Sequence, residues 1–266
     1  MKKKIQLIFL LSLFVDIAYP QLQGWVSYQM ITQFGSKAPK IDTTVLYFTS
    51  SVGLFVIDPQ IKKVSTIKEE QALANWTIKN TITERSRPFY KFHWEEKVYE
   101  AILNENPQDN YYLLDKLPGF GWTITSEVRQ IGGYECVKAV SQTFRGRVYE
   151  AWFTYLIPVG QGPWKLGGLP GLILEAQDQT GEVRFVFQGL KLPYPDKVDY
   201  TLPPNLQLKS MEEHLDLELK ELKDTIKFLK SLGADIKANI TANKGLEAFP
   251  EIEAYFAELT KEIEKK

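Results

Sequence analysis

Glu175 and Asp178 are the closest approach in this sequence to a paired set of carboxylates. General acid–base chemistry needs two such groups converging on one point. On a strand, a spacing of three puts successive side chains on opposite faces, so this pair is not read as catalytic. Asp178, in Asp178-Gln179-Thr180-Gly181, reads as a turn former. His93 lies between Phe92 and Trp94 with no His or Cys at ligand spacing, and reads as a packed or edge histidine. His214, among Glu212, Glu213 and Asp216, reads as a solvated neighbour of carboxylates. Arg145 and Arg147 flank Gly146 and read as exposed turn charges. Cys136 is the single cysteine of the chain and reads as a small buried hydrophobe. One Cys excludes a disulfide framework and a Cys-rich zinc site, and two His leave little for other metal sets. No catalytic residue, metal or cofactor is expected. A hydrolase using Glu175 with an acid from a distant strand is the alternative.

The densest run of unusual residues lies between Gly132 and Asp178. It contains GGYECVKA, RGRVYEAWFT and IPVGQGPWKLGGLPGLILEAQD. Pro170 fixes φ, Gly171 is expected at positive φ in a type II turn, and Gly167-Gly168 allow close backbone approach. Leu172, Ile173 and Leu174 begin a strand whose continuous apolarity predicts burial on both faces. The segment holds neither a phosphate loop nor a nucleophile elbow. The first reading is a rigid corner that keeps a curved sheet closed. The functional alternative is an exposed lip that touches a ligand or partner. Its candidate residues are Trp152, Pro163, Trp164, Gly168, Leu169, Pro170, Gly171 and Glu175.

Gly168-Leu169-Pro170-Gly171-Leu172-Ile173 resembles the signature of the GLPGLI family, exported proteins found mainly in Bacteroidota. Gly162-Pro163-Trp164, Ala151 to Thr154 and Tyr134 to Ala139 extend the resemblance. Tyr155 stands where the family often has Pro, and Leu166 where it often has Phe. The resemblance is strong over about 50 residues. It implies export and a shared fold, and carries no activity with it.

Short strands must position these residues. Val26, Tyr28, Met30, Thr32 and Phe34 alternate with polar neighbours. Similar runs follow at 43–48, 54–57, 89–94, 98–103, 111–114, 122–128, 134–144, 148–157, 172–176 and 183–187, separated by Gly, Pro and Asp turns. The expected fold is β-rich (α+β): an antiparallel β-meander forming a curled sheet or half-barrel, with a C-terminal helical segment. From about Asn205 the character changes. Leu208, Met211, Leu215, Leu219, Leu222, Ile226 and Leu229 recur at spacings of three and four, predicting a long helix that ends at Ser231-Leu232-Gly233. Ile252, Phe256, Leu259 and Ile263 predict a second. The expected divisions are a signal peptide over 1–20, a β domain over 21–204 and a helical segment over 205–266.

Lys2, Lys3 and Lys4 precede an apolar run from Ile5 to Val15, the pattern of a secretory signal, with cleavage expected between Ala18 and Gln21. The run is too short to span a bilayer, so no transmembrane anchor is expected. Its removal takes three Lys and one Asp and moves the formal charge from −1 to −3, which argues against a nucleic-acid partner. The expected location is the periplasm or the outer-membrane surface, or outside the cell. The expected role is non-catalytic binding of an apolar or peptide-like ligand, or of an outer-membrane protein partner. A purely structural envelope role is a further alternative.

Overall fold

Most of the strands expected from residue alternation form, within a few residues of the expected limits. A computed structural model describes residues 23–35, 38–57, 87–92, 95–104, 107–117, 119–231, 246–247 and 249–264. The leader, His93 and the helix stop at Leu232-Gly233 lie outside the described residues. The strands are β1 (Gly24–Thr32), β2 (Lys40–Phe48), β3 (Val52–Ile57), β4 (Arg87–Phe92), β5 (Lys97–Ile102) and β6 (Tyr111–Lys116). They continue as β7 (Thr123–Ile131), β8 (Tyr134–Val140), β9 (Tyr149–Thr154), β10 (Leu172–Asp178), β11 (Val183–Lys191) and β12 (Leu208–Ser210). The helices are α1 (Met211–Ser231) and α2 (Pro250–Glu264).

All twelve described strands belong to one open, curled sheet, in the order β12-β6-β5-β4-β3-β2-β1-β11-β10-β9-β8-β7. Two antiparallel meanders, β1–β6 and β7–β11, are joined by β1 pairing with β11. A simple meander would set β6 beside β7. The observed junction joins strands about 160 residues apart, and such a pairing leaves no local mark on sequence. The sheet curls because its twist accumulates over many strands. As a result Phe89 and Val98 share one core cluster with Cys136, Ala151 and Phe153 from the other meander.

The chain from Leu192 to Gln207 must travel from β11, beside β1, to β12, beside β6. It crosses the outer face of the first meander as a strap. Tyr194, Val198, Tyr200 and Leu202 cover Val45, Tyr47, Leu54, Val56, Tyr90 and Tyr99 there. This explains β3, where all six residues are buried: Phe55 and Ile57 face the inner core while Leu54 and Val56 face the strap. β12 then pairs parallel to β6. Leu208, expected on the helix, is therefore strand. The helix begins at Met211 because Ser210 caps it. Ser210 Oγ accepts the Glu213 N–H at 3.2 Å, and Glu213 Oε2 accepts the Ser210 N–H at 2.7 Å. That reciprocal pair satisfies helix-end donors that have no partner within the helix.

Candidate functional site

The segment between β9 and β10 folds into a tight plug under the curled sheet. Gly168 N–H donates to the Gly160 carbonyl at 3.0 Å, Leu166 N–H to Pro163 at 3.0 Å and Ile173 N–H to Gln161 at 2.9 Å. Lys91, fully buried on β4, reaches up and donates to the Gly162 carbonyl at 2.5 Å and the Leu166 carbonyl at 3.5 Å. Burial pushes its ammonium down to a pKa of about 7. Trp122 Nε1 donates to the Gly167 carbonyl at 2.8 Å.

The candidate residues separate into four places. Trp164 is 1% exposed, with a left-handed φ of 50°, and packs against Tyr149 and Phe144. It is no exposed lip: an indole ring filling the inner core removes more apolar surface from water than any display of it would. Pro163 and Gly171 are buried with it. Gly168, Leu169 and Pro170 border a shallow groove of about 350 Å³ with Phe120, Trp122 and Ile124. In that groove Gly168 and Pro170 are exposed and Leu169 is 3% exposed. Trp152 and Glu175 meet elsewhere, on Arg129: its guanidinium lies 4.2 Å from the Trp152 ring centroid and is paired with Glu175.

Gly171 does not take the positive φ expected of it; Gly168, at 81°, does. What position 171 demands is space. A Cβ there would stand 2.1 Å from the Thr154 carbonyl oxygen. Leu172, Ile173 and Leu174 all join the inner cluster, where a register shift between Ile173 and Glu175 breaks the alternation. Asp178 faces opposite to Glu175, as spacing requires. It forms the turn: its carboxylate accepts the Val183 N–H at 2.9 Å.

The two arginines are not solvating turn charges. Arg147 is buried and pairs with Asp178 at 2.5 Å and Glu182 at 3.0 Å. Arg145 grips Asp115 with two hydrogen bonds of 2.9 Å and reaches Glu247 at 2.8 Å. Buried Lys165 joins the same carboxylates, at 3.0 Å from Asp115, 2.9 Å from Glu247 and 3.5 Å from Glu100. Burial alone would lower the Lys165 ammonium; Glu100, Glu247 and Asp115 more than offset it, so its pKa is raised. Burial alone would raise the Asp115 carboxyl, and the hydrogen bonds of Arg145 with the charge of Lys165 bring it below the ordinary range. These acids converge, but on cations, and Asp115 is held ionised by them. It is a poor proton donor. His214 is likewise no solvated bystander: its Nδ1 lies 2.7 Å from Tyr111 Oη, and burial with the Lys165 charge lowers its pKa.

Above this network lies a cavity of about 560 Å³ between the concave sheet and the two helices. Met30, Phe89, Leu113 and Trp164 supply apolar walls, and Glu100, His214, Glu218 and Glu247 polar ones. Reasoning from sequence missed Lys165, Asp115, Glu100 and Glu247. One signal was present: Lys165 is the sole charge between Leu156 and Leu174.

The family described as "Protein of unknown function (Porph_ging)" matches residues 142–175, the plug and its two flanking strands. No curated protein matches the sequence. Among solved structures, PNGF-II in a P21 crystal form is 21% identical, with a TM-score of 0.51 over 74% of this chain and 32% of its own. The likeness is one of fold. PNGF-II in a C2 form gives 0.48 at 21% identity, over 71% of this chain and 31% of its own. An uncharacterized conserved protein from Thermus thermophilus gives 0.36 at 8%, over 71% of this chain and 90% of its own. The chain thus spans about a third of the length of PNGF-II.

Three outcomes follow from the plug. Gly171→Ala should cost about 1 to 3 kcal/mol in denaturant unfolding, because backbone must move. Gly168→Ala, with open space but positive φ, should cost about 1 kcal/mol. Lys91 titrates near 7 when folded and near 10.5 when unfolded, so between those values the unfolded chain binds more protons and stability rises with pH. Lys91→Met should remove that rise, read as a flatter melting temperature from pH 7 to 9 than in the wild type.

Proposed function

We propose that this chain is an exported, non-catalytic binding module of the cell envelope whose ligand sits in the cavity under α1 and α2. The observation that carries the reading is that cavity: about 560 Å³, built from two meanders and the helical segment, with an indole and other apolar groups beside a few fixed polar ones. Its size and mixed lining are those of small-ligand sites. The state of the nearby acids supports a non-catalytic role, since Asp115 and Glu247 are saturated by Arg145 and Lys165. Glu175, the acid of the hydrolase alternative, is paired with Arg129 away from the cavity.

Membership in the GLPGLI family and export belong to the same proposal, supported by the motif and by the basic, apolar leader. An accessory role is supported by PNGF-II, where the matching fold forms part of a longer chain. The shallow groove beside Pro170 would serve a partner protein in that role.

Native mass spectrometry of protein purified from an envelope fraction tests the reading. The expected result is a chain beginning between Ala18 and Gln21 with a small molecule bound. Leu215→Trp, which fills the cavity from α1, should abolish the bound mass and leave the melting temperature within a few degrees. Wild-type protein that is repeatedly empty would overturn it.

A further inference from the structure

The two ends of the sheet are finished differently. β12 is three residues long and runs straight into α1, so it offers little open edge. β7, at the other end, has nine residues and no proline, and β8 is its one neighbour among the described strands. Gly132 and Gly133 both have positive φ, as a two-residue type I′ turn requires, so Ile131 and Tyr134 beside it exchange hydrogen bonds. Counting back by alternation, the backbone groups of Gln130 and Val128 then point away from β8. Beyond Val128 the register shifts, and Thr125, Ser126 and Glu127 have no ladder partner on β8. A long edge of this kind is a template for another strand. It takes no part in the cavity.

We propose that β7 pairs with β7 of a second copy of this chain, antiparallel, about a two-fold axis at Val128. Charge selects both the occupant and the register. With Val128 opposite Val128, Glu127 of each copy lies opposite Arg129 of the other, twice by symmetry. Centring the pair on Glu127 or on Arg129 instead sets like charges face to face. Both side chains are exposed and lie on one face of the sheet, where Glu127 pairs with Lys138 at 3.2 Å and Arg129 pairs with Glu175. Across the axis the row reads Lys138, Glu127, Arg129, Glu175, with alternating sign. On the other face Val128 opposes Val137, Val137 opposes Phe153, and the Tyr155 ring lies 4.9 Å from Phe153. Val128 is 54% exposed at the end of this apolar row, and a second Val128 covers it.

Sedimentation velocity on the full protein, from about 1 to 300 µM, tests this. One strand edge is small for an interface, so the expected result is a monomer–dimer equilibrium with a dissociation constant on the order of 10 to 100 µM. Glu127→Arg and Arg129→Glu should each weaken the dimer about tenfold, since each sets like charges opposite one another twice. Mixed in equal amounts, the two variants should pair at about the wild-type affinity, because every facing pair is then Arg with Glu. A cysteine pair reads the register without touching either charge. Val128→Cys should cross-link two copies on mild oxidation, as facing positions allow. Gln130→Cys, which faces position 126 of the other copy, should not.

A chain that stays monomeric over the whole range would overturn the proposal, even if a different protein were found seated on β7. So would a dimer that neither charge variant weakens, a mixture that fails to restore pairing, or equal cross-linking at positions 128 and 130.

Discussion

A buried ammonium held by three carboxylates ties this molecule together. Lys165 sits at the centre of the plug between β9 and β10, and its partners come from β5, β6 and the segment before α2. A charge taken out of water is costly unless its partners return the lost solvation. Here they do so only if the second meander, the first meander and the helical segment meet in one arrangement. The same charges that remove the acids from acid–base work therefore fix the walls of the cavity. Removing one partner would leave another buried and unpaired.

Lys91 performs the complementary task on the same plug. It donates to backbone carbonyls, and burial lowers its pKa to about 7, whereas carboxylate charges offset burial at Lys165 and raise its pKa. Two lysines at similar depth thus shift in opposite directions, decided by whether carboxylate charges offset the cost of burial. Together they anchor the middle of the plug. Trp164, its ring 5.6 Å from the Lys165 ammonium, can then keep a left-handed backbone that an unsupported tryptophan would abandon.

Much of the fold was legible in the sequence. Alternation from Val26 to Phe34 and the Gly-centred turns at 132–133 and 146 located β1 and the β7–β9 hairpins to within a few residues, because strands and tight turns are local events. The β-rich class with a helical tail followed directly. The pairing of β1 with β11, the strap over the outer face and the three-residue β12 were not legible, since each depends on contacts between distant segments. At the site, Gly171 was singled out for the wrong physical reason, a dihedral angle, while Trp164 follows the first reading, a packed corner, and not the exposed-lip alternative. The facts that decide them are a carbonyl oxygen at position 154 and an aromatic nest from β9. Arg145 and Arg147 misled because a charge beside a turn glycine looks the same whether it faces water or a buried carboxylate.

The junction of β1 with β11 also sets an order of events. As the chain is synthesised, β1 has β2 on one side within its first fifty residues, but the strand for its other side ends at Lys191. Until then an apolar strand edge stands open, the kind that pairs with whatever strand it meets. Closure across so many residues is slow. A chain truncated before β11 would leave that edge open and be prone to stick to its own copies.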